Sequence, residues 1–187
     1  GGPDAGTSDL GAPRPEFRVL FDAAHKNSVG NADWVLDGRS PDPVPTHPIS
    51  ESQWSGGISA WGVGLHRSRR YEVRQLGAGT ALTFGGGGSG DLRGFDAFVS
   101  DEPEAPFTTA EQAALMQFVE GGGGLFLVAD HAGAQRCTTC IEAWRVINGF
   151  LVTGAAAGAF GIACDGNTIG RTGLTGSSSD VPVTMHF

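Results

Sequence analysis

Gly121-Gly122-Gly123-Gly124-Leu125-Phe126-Leu127-Val128-Ala129-Asp130-His131 is the stretch on which the reading of this chain turns. Glycines stop a preceding helical pattern, a short apolar run follows, and the run ends on two chemically able residues. Such a run reads as a central strand, buried on both faces of a parallel sheet. Ligands of open parallel sheets bind outside the carboxyl ends of the strands, where Asp130 and His131 fall.

Two other segments repeat the arrangement. Phe17-Arg18-Val19-Leu20-Phe21-Asp22 is a strand-like run ending on an aspartate, with His25, Asn27 and Asn31 beyond it. Phe95-Asp96-Ala97-Phe98-Val99-Ser100-Asp101-Glu102-Pro103 stops its apolar core at Ser100, and Pro103 ends any ladder because it lacks an amide proton. Neighbouring strands lie about 4.8 Å apart, so Asp22, Asp101 or Glu102, and Asp130 are expected along one edge.

Helical patterns lie between the strands. Thr109 to Glu120 is the clearest: Thr108 and Glu111 have capping-box spacing, and Leu115, Phe118 and Val119 form an apolar stripe. A second capping box, Thr139 to Glu142, is expected to open a helix carrying Ile141, Trp144, Ile147 and Asn148. Trp54, Ile58, Trp61 and Leu65 predict another helix, capped by Ser50 or Ser52. Tyr71 to Leu76 alternates as an edge strand does; Thr80–Phe84, Phe160–Ala163 and Val181–Phe187 are weaker strand patterns. Strands alternating with helices predict an α/β fold with a doubly wound, mostly parallel sheet, a flavodoxin-like three-layer sandwich. From the apolar ending, the parent protein is expected to continue, with its C-terminal part absent from this sequence.

Residues 1–15 are a Gly/Pro/Asp/Ser linker, and 16–187 read as a single α/β domain. Such a linker is what remains after an export signal is cleaved, so the chain is expected to be an exported bacterial protein, membrane-associated only through an upstream lipid anchor. No apolar run approaches the roughly 20 residues that span a bilayer. The formal net charge of −8 disfavours duplex nucleic acid. The loop from Gly85 to Gly90 has no following lysine and is no phosphate-binding P-loop, and no nucleotide cofactor is expected. Of the three cysteines, a disulfide from Cys164 to Cys137 or Cys140 ranks above a His131/Cys137/Cys140/Cys164 zinc site, and both rank above redox catalysis by the Cys137–Cys140 pair.

Phe21-Asp22, Asn31-Ala32-Asp33-Trp34, Pro106-Phe107-Thr108 before a capped helix, and Ala129-Asp130-His131 resemble the class I glutamine amidotransferase-like superfamily. That group has a flavodoxin-like fold and includes exported, ThuA-like bacterial proteins. The resemblance covers roughly Phe17 to Phe150. Amidotransferases carry a cysteine nucleophile at the corresponding elbow; Asp130 and His131 stand there instead, so amidotransferase chemistry is not expected.

The residues point to a hydrolase. Asp22, His25, Asp130 and His131 are candidate ligands of a divalent metal ion, or an acid/base set without one; a bound metal would supply hydroxide at neutral pH. Glu102 is the candidate general base. Asn27, Asn31 and Trp34 are candidate substrate-binding residues for a small-molecule or glycan ligand. The alternative is a non-catalytic exported binding or scaffold domain using Trp34, Trp54 and Trp61 as stacking surfaces, although core packing suits Trp54 and Trp61 at helical spacing. Serine catalysis is disfavoured because no G-x-S-x-G occurs.

Overall fold

A computed structural model describes residues 15–27 and 59–166. Four strands, β1 (Phe17–Asp22), β2 (Tyr71–Leu76), β3 (Ala97–Asp101) and β4 (Gly124–Val128), form one all-parallel sheet in the order β2-β1-β3-β4. Among the described residues three α-helices interleave with them: α1 (Ser59–Arg67), α2 (Thr109–Glu120) and α3 (Ala143–Leu151). The α/β, parallel-sheet reading is therefore correct.

Period-two alternation sorts the strand residues between two cores. Leu20, Leu76 and Phe98 face the larger one, where Leu115 and Phe118 of α2 and Ile147 and Phe150 of α3 cover them. Val19, Phe21, Val73 and Val99 face the other, packed against Leu65 of α1. Helices thus lie on both faces. Register carries the alternation across the sheet: Leu20 pairs with Phe98, and Phe21 with Val99 and Gln75.

β1 is central, as its sequence predicts. β4 is not: among the described residues it pairs with β3 alone, and Phe126 is 46% exposed. Its apolar run was read as two-sided burial, but Leu125, Leu127 and Ala129 pack on the larger core while Phe126, on the other face, touches Trp61 and stays largely exposed. A short apolar run carries no information about which neighbours a strand acquires. The Thr83 segment makes only an isolated bridge to Asp91, and residues 160–163 are not a strand. The segments holding Asn31, Trp34, Trp54 and Val181–Phe187 lie outside the described residues.

The capping box on α2 forms as expected: Thr108 Oγ1 accepts from Glu111 N, and Glu111 Oε2 accepts from Thr108 N at 2.8 Å. Gly122, at φ +93°, ends the helix in the left-handed region that a residue with a Cβ rarely adopts. A Cβ on Gly123 would overlap the Phe118 ring, which is buried in the core. Gly123→Ala is therefore expected to cost about 1–3 kcal/mol by displacing that ring, measured by urea unfolding; a loss within error would mean that the turn adjusts freely.

The second capping box does not form. α3 begins at Ala143 with Glu142 at its cap and no side-chain bond there. Thr139 instead accepts from Lys26 Nζ at 3.0 Å, which draws its hydroxyl toward the β1 loop. The helix end is satisfied from elsewhere, as the strand ends show.

Candidate functional site at the carboxyl edge

Alternation decides which strand-end residues meet. Asp22 continues the Leu20 side of β1, and Ser100 continues the Phe98 side of β3. They join on the face of the larger core, where Ser100 Oγ donates to Asp22 Oδ2 at 2.6 Å. Asp22 Oδ1 also accepts from Ala24 N at 3.0 Å, turning the chain back toward the sheet.

His25 completes this cluster. Its Nδ1 lies 3.0 Å from both Asp22 oxygens, and its Nε2 lies 3.4 Å from Glu111 Oε1. Phe107 packs on the imidazole with ring centroids 4.4 Å apart. Burial works to lower the His25 pKa, but the hydrogen bond and charge of Asp22, reinforced by Glu111, raise it above 6.5. Burial pushes Glu111 upward, yet Thr108 N and Oγ1, His25 and Leu82 N together hold it below 4.5. One glutamate thus caps α2, holds the Leu82 amide and faces the imidazole. The His25 carbonyl accepts from Glu104 N and Ala105 N, tying the β1 loop to the β3 loop.

Asp101 sits one residue further along β3, so alternation puts it on the opposite face from Ser100. Asn27 Nδ2 donates to the Asp101 carbonyl at 2.7 Å. Two buried oxygens have no hydrogen-bond partner here, Asn27 Oδ1 and Asp101 Oδ2. Burial, then the charge of Glu102, push the Asp101 carboxyl from 3.8 to about 7, partly opposed by Arg136.

Glu102 has φ +44° and Lys26 φ +61°, both in the left-handed region that disfavours non-glycine residues. Arg136 binds Glu102 through Nη1 to its carboxylate and Nη2 to its carbonyl, and the Arg136 amide donates to both Glu104 oxygens. This Arg136 contact was not legible in the sequence, because it spans 34 residues and sits in an irregular loop.

Asp130 and His131 do not join the Asp22–His25 cluster. Asp130 Oδ1 accepts from Trp144 N at 3.2 Å, supplying the acceptor that the α3 cap lacks. His131 is exposed, and its Nδ1 donates to the Ala132 carbonyl at 2.9 Å. Among the described residues, the His, Cys, Asp and Glu ligand atoms that gather in a group of three or more belong to Glu104, Cys137 and Cys140. Asp22, His25, Asp130 and His131 are thus not brought into one ligand set, and His25 would have to release a carboxylate to bind a metal. The His131/Cys137/Cys140/Cys164 zinc set is likewise not assembled.

The cysteines pair differently from expectation. Cys137 and Cys140 form the disulfide and Cys164 is free. Asn148 explains the correction: it bonds the Cys164 carbonyl and amide at 2.9 and 2.8 Å, holding that residue beside α3.

A cleft of about 420 Å³ opens elsewhere, along Arg18, Arg74, Gln75, Asp91 and Phe95. Its glycine loop donates the Gly85 and Gly87 amides to Asp91, so those amides are already used. Gln75 Oε1 in this cleft is also buried without a hydrogen-bond partner, but the carboxyl edge gathers three such oxygens, Asn27 Oδ1, Asp101 Oδ2 and Asp130 Oδ2, together with the strongly raised Asp101 carboxyl, and is the better site.

No family model, curated protein or solved structure matches the chain.

The directions of these shifts set the pH dependence of stability. Folded Asp101 holds a proton that the unfolded chain has released between 3.8 and about 7, so its contribution worsens as pH rises through that window. The His25 contribution is complete below 6.5 and is lost as pH rises through its raised folded value. The Glu111 contribution is present above 4.5 and lost as pH falls through its lowered one. The thermal midpoint is expected to peak in mild acid, at roughly pH 4.5–6, and to decline toward pH 8. A midpoint rising steadily from about pH 5 to pH 8 would contradict these assignments.

Proposed function

We propose that this chain is a hydrolase whose acid/base group is Asp101, at the carboxyl edge of a flavodoxin-like sheet. The observation that carries the reading is the Asp101 carboxyl itself: buried, unpartnered at Oδ2, and titrating at about 7. A carboxyl poised near the working pH can both take and return a proton within a reaction cycle. Asn27, whose Nδ2 holds the Asp101 main-chain carbonyl and faces Ser100 Oγ, fixes the strand end that carries this carboxyl. Glu102, the general base expected from sequence, is bound by Arg136 and holds the edge in shape. Asp22 and His25 are positioning residues, since each is satisfied by the other and by Ser100 or Glu111. Backbone strain at Lys26 and Glu102, either side of Asn27 and Asp101, supports a functional edge.

The acids along this edge favour neutral substrates, such as esters and glycosides, over phosphoanions. The parallel strand order supports the class I glutamine amidotransferase-like frame, and the Cys137–Cys140 bridge supports an exported protein.

The test is turnover of chromogenic esters and glycosides, with and without added divalent cations, over a range of pH. The expected profile shows one group titrating near 7. No turnover on any member, under either condition, removes the hydrolase reading. A second reading, the non-catalytic glycan-binding domain, is favoured by one observation. Trp61 and Phe126 are 41% and 46% exposed, with ring centroids 5.4 Å apart. Oligosaccharide binding that Trp61→Ala abolishes, in a protein without turnover, would establish it.

A further inference from the structure

The segment from Arg136 to Ile141 carries chemistry that the strand-end site leaves unused. Cys137 and Cys140 are bridged with Cα atoms 5.0 Å apart. The two sulfurs are unequal: Cys140 is buried, 7% exposed, and Cys137 is half-buried. Glu104 is fully buried, and one of its carboxylate oxygens lies within 4.8 Å of both sulfurs. The Thr139 hydroxyl stands 3.6 Å from Cys137 Sγ. Burial raises the Glu104 carboxyl above 4.5, opposed by the Arg136 amide and by the Arg136 guanidinium, whose Nε lies 3.4 Å from Glu104 Oε1.

A purely structural staple accounts poorly for this arrangement. A bridge between residues three apart restricts the unfolded chain least, because loop-closure entropy grows with loop length. Nor does a staple require a buried acid beside its sulfurs.

We propose that Cys137–Cys140 is an exchange-active disulfide that oxidises an external dithiol, with Glu104 as proton donor to Cys140. A thiolate of the dithiol, its proton released to water, attacks the more accessible Cys137 Sγ. The new sulfur–sulfur bond forms as the Cys137–Cys140 bond breaks, and the electron pair leaves on Cys140 Sγ. The Glu104 carboxyl gives that sulfur its proton and later regains one from water. The second thiol of the reductant loses its proton to water and attacks the first thiol's sulfur. Cys137 departs as a thiolate, within reach of the Thr139 hydroxyl, and takes a proton from water. Two electrons and two protons have then passed to the protein, and the dithiol has become a disulfide. The same steps run backwards when the reduced protein meets a disulfide.

The test uses the full chain in a Cys164→Ser background, so that the third thiol does not obscure the result. The oxidised protein is equilibrated with dithiothreitol or glutathione and followed by mass after acid quench. The bridge is expected to reduce without unfolding, and Cys137 to alkylate faster than Cys140 by on the order of tenfold. Cys140→Ser treated with the aryl disulfide dithiobis(nitrobenzoate) should form a mixed disulfide on Cys137 and release one equivalent of thionitrobenzoate; Cys137→Ser should form none under the same conditions. Glu104→Gln should slow reduction and flatten its pH dependence, with Glu104→Asp restoring part of both. If Glu104→Gln does not fold, the aspartate variant and the trapping arms still decide. A bridge that reduces only on unfolding, equal alkylation of the two thiols, or an unchanged pH profile in Glu104→Gln each overturns the proposal. Tight one-to-one Zn²⁺ uptake by the reduced protein that blocks exchange would also overturn it, in favour of a Glu–Cys–Cys metal site.

Discussion

Asp101→Asn is expected to reduce turnover by about two to four orders of magnitude, the range that a positioned acid/base group contributes. The same variant should become more stable than the parent as pH rises. In the folded parent the charged carboxyl is penalised, by burial first and by Glu102 second, and asparagine never charges. The full linkage for a shift of this size would approach about 4 kcal/mol at high pH; solvent screening at a strand end reduces the expected gain to roughly 2 kcal/mol. Below pH 3.8, where the carboxyl is protonated in both states, the gain should vanish. Asparagine leaves the main-chain acceptor for Asn27 Nδ2 in place, so the edge keeps its local connection. Urea unfolding at several pH values, beside kcat on the best substrate of the panel, separates the two effects. A stability gain with unchanged turnover would make Asp101 a strained structural residue and end its assignment as the proton-transfer group.

Asp22→Ala should be the most damaging substitution to the fold, at about 3–5 kcal/mol. It strips the acceptor from Ser100 Oγ, from the Ala24 amide and from His25 Nδ1, all at a position 3% exposed. His25 would keep only Glu111, and its pKa would drop because the largest raising influence has gone. The loss should therefore be greatest in mild acid, where the imidazolium is populated. Asp22→Asn, which retains one acceptor oxygen, should cost less. Turnover per folded molecule in Asp22→Asn separates positioning from chemistry. A fall within about tenfold fits a residue that acts through its neighbours, whereas a fall beyond a hundredfold at preserved stability would place Asp22 among the reacting groups.

Much of the frame was legible locally. The capping box at Thr108 and Glu111 is written in four residues, and the glycine run after Glu120 supplies Gly122, whose positive φ ends the helix in a conformation that other residues avoid. β1 declares itself by its apolar run, and β2 by its alternation. The second capping box failed for a reason that no local pattern contains: Lys26, over a hundred residues away in sequence, engages Thr139. Asp130 fills the vacancy at α3 from the end of a different strand.

The candidate site was legible as an edge but not as a set. That Asp22, Asp101, Glu102 and Asp130 end or follow parallel strands follows from the sequence, since the apolar runs stop there. Which of them share a face depends on side-chain parity across paired strands, and parity depends on register. Register places Ser100 beside Asp22 and sends Asp101 to the other side of the sheet. Burial then separates their chemistry, leaving one carboxylate satisfied on every side and the other short of a partner. The sequence by itself determined the alternating α/β plan, the parallel strands and the acids at their ends, because these arise from short-range periodicity and turn chemistry. Only the tertiary structure decided that β4 has a single paired neighbour among the described residues, that Cys137 takes Cys140, and that Glu104 lies against their bridge. Those outcomes depend on contacts between segments far apart in the chain, whose geometry no local spacing encodes.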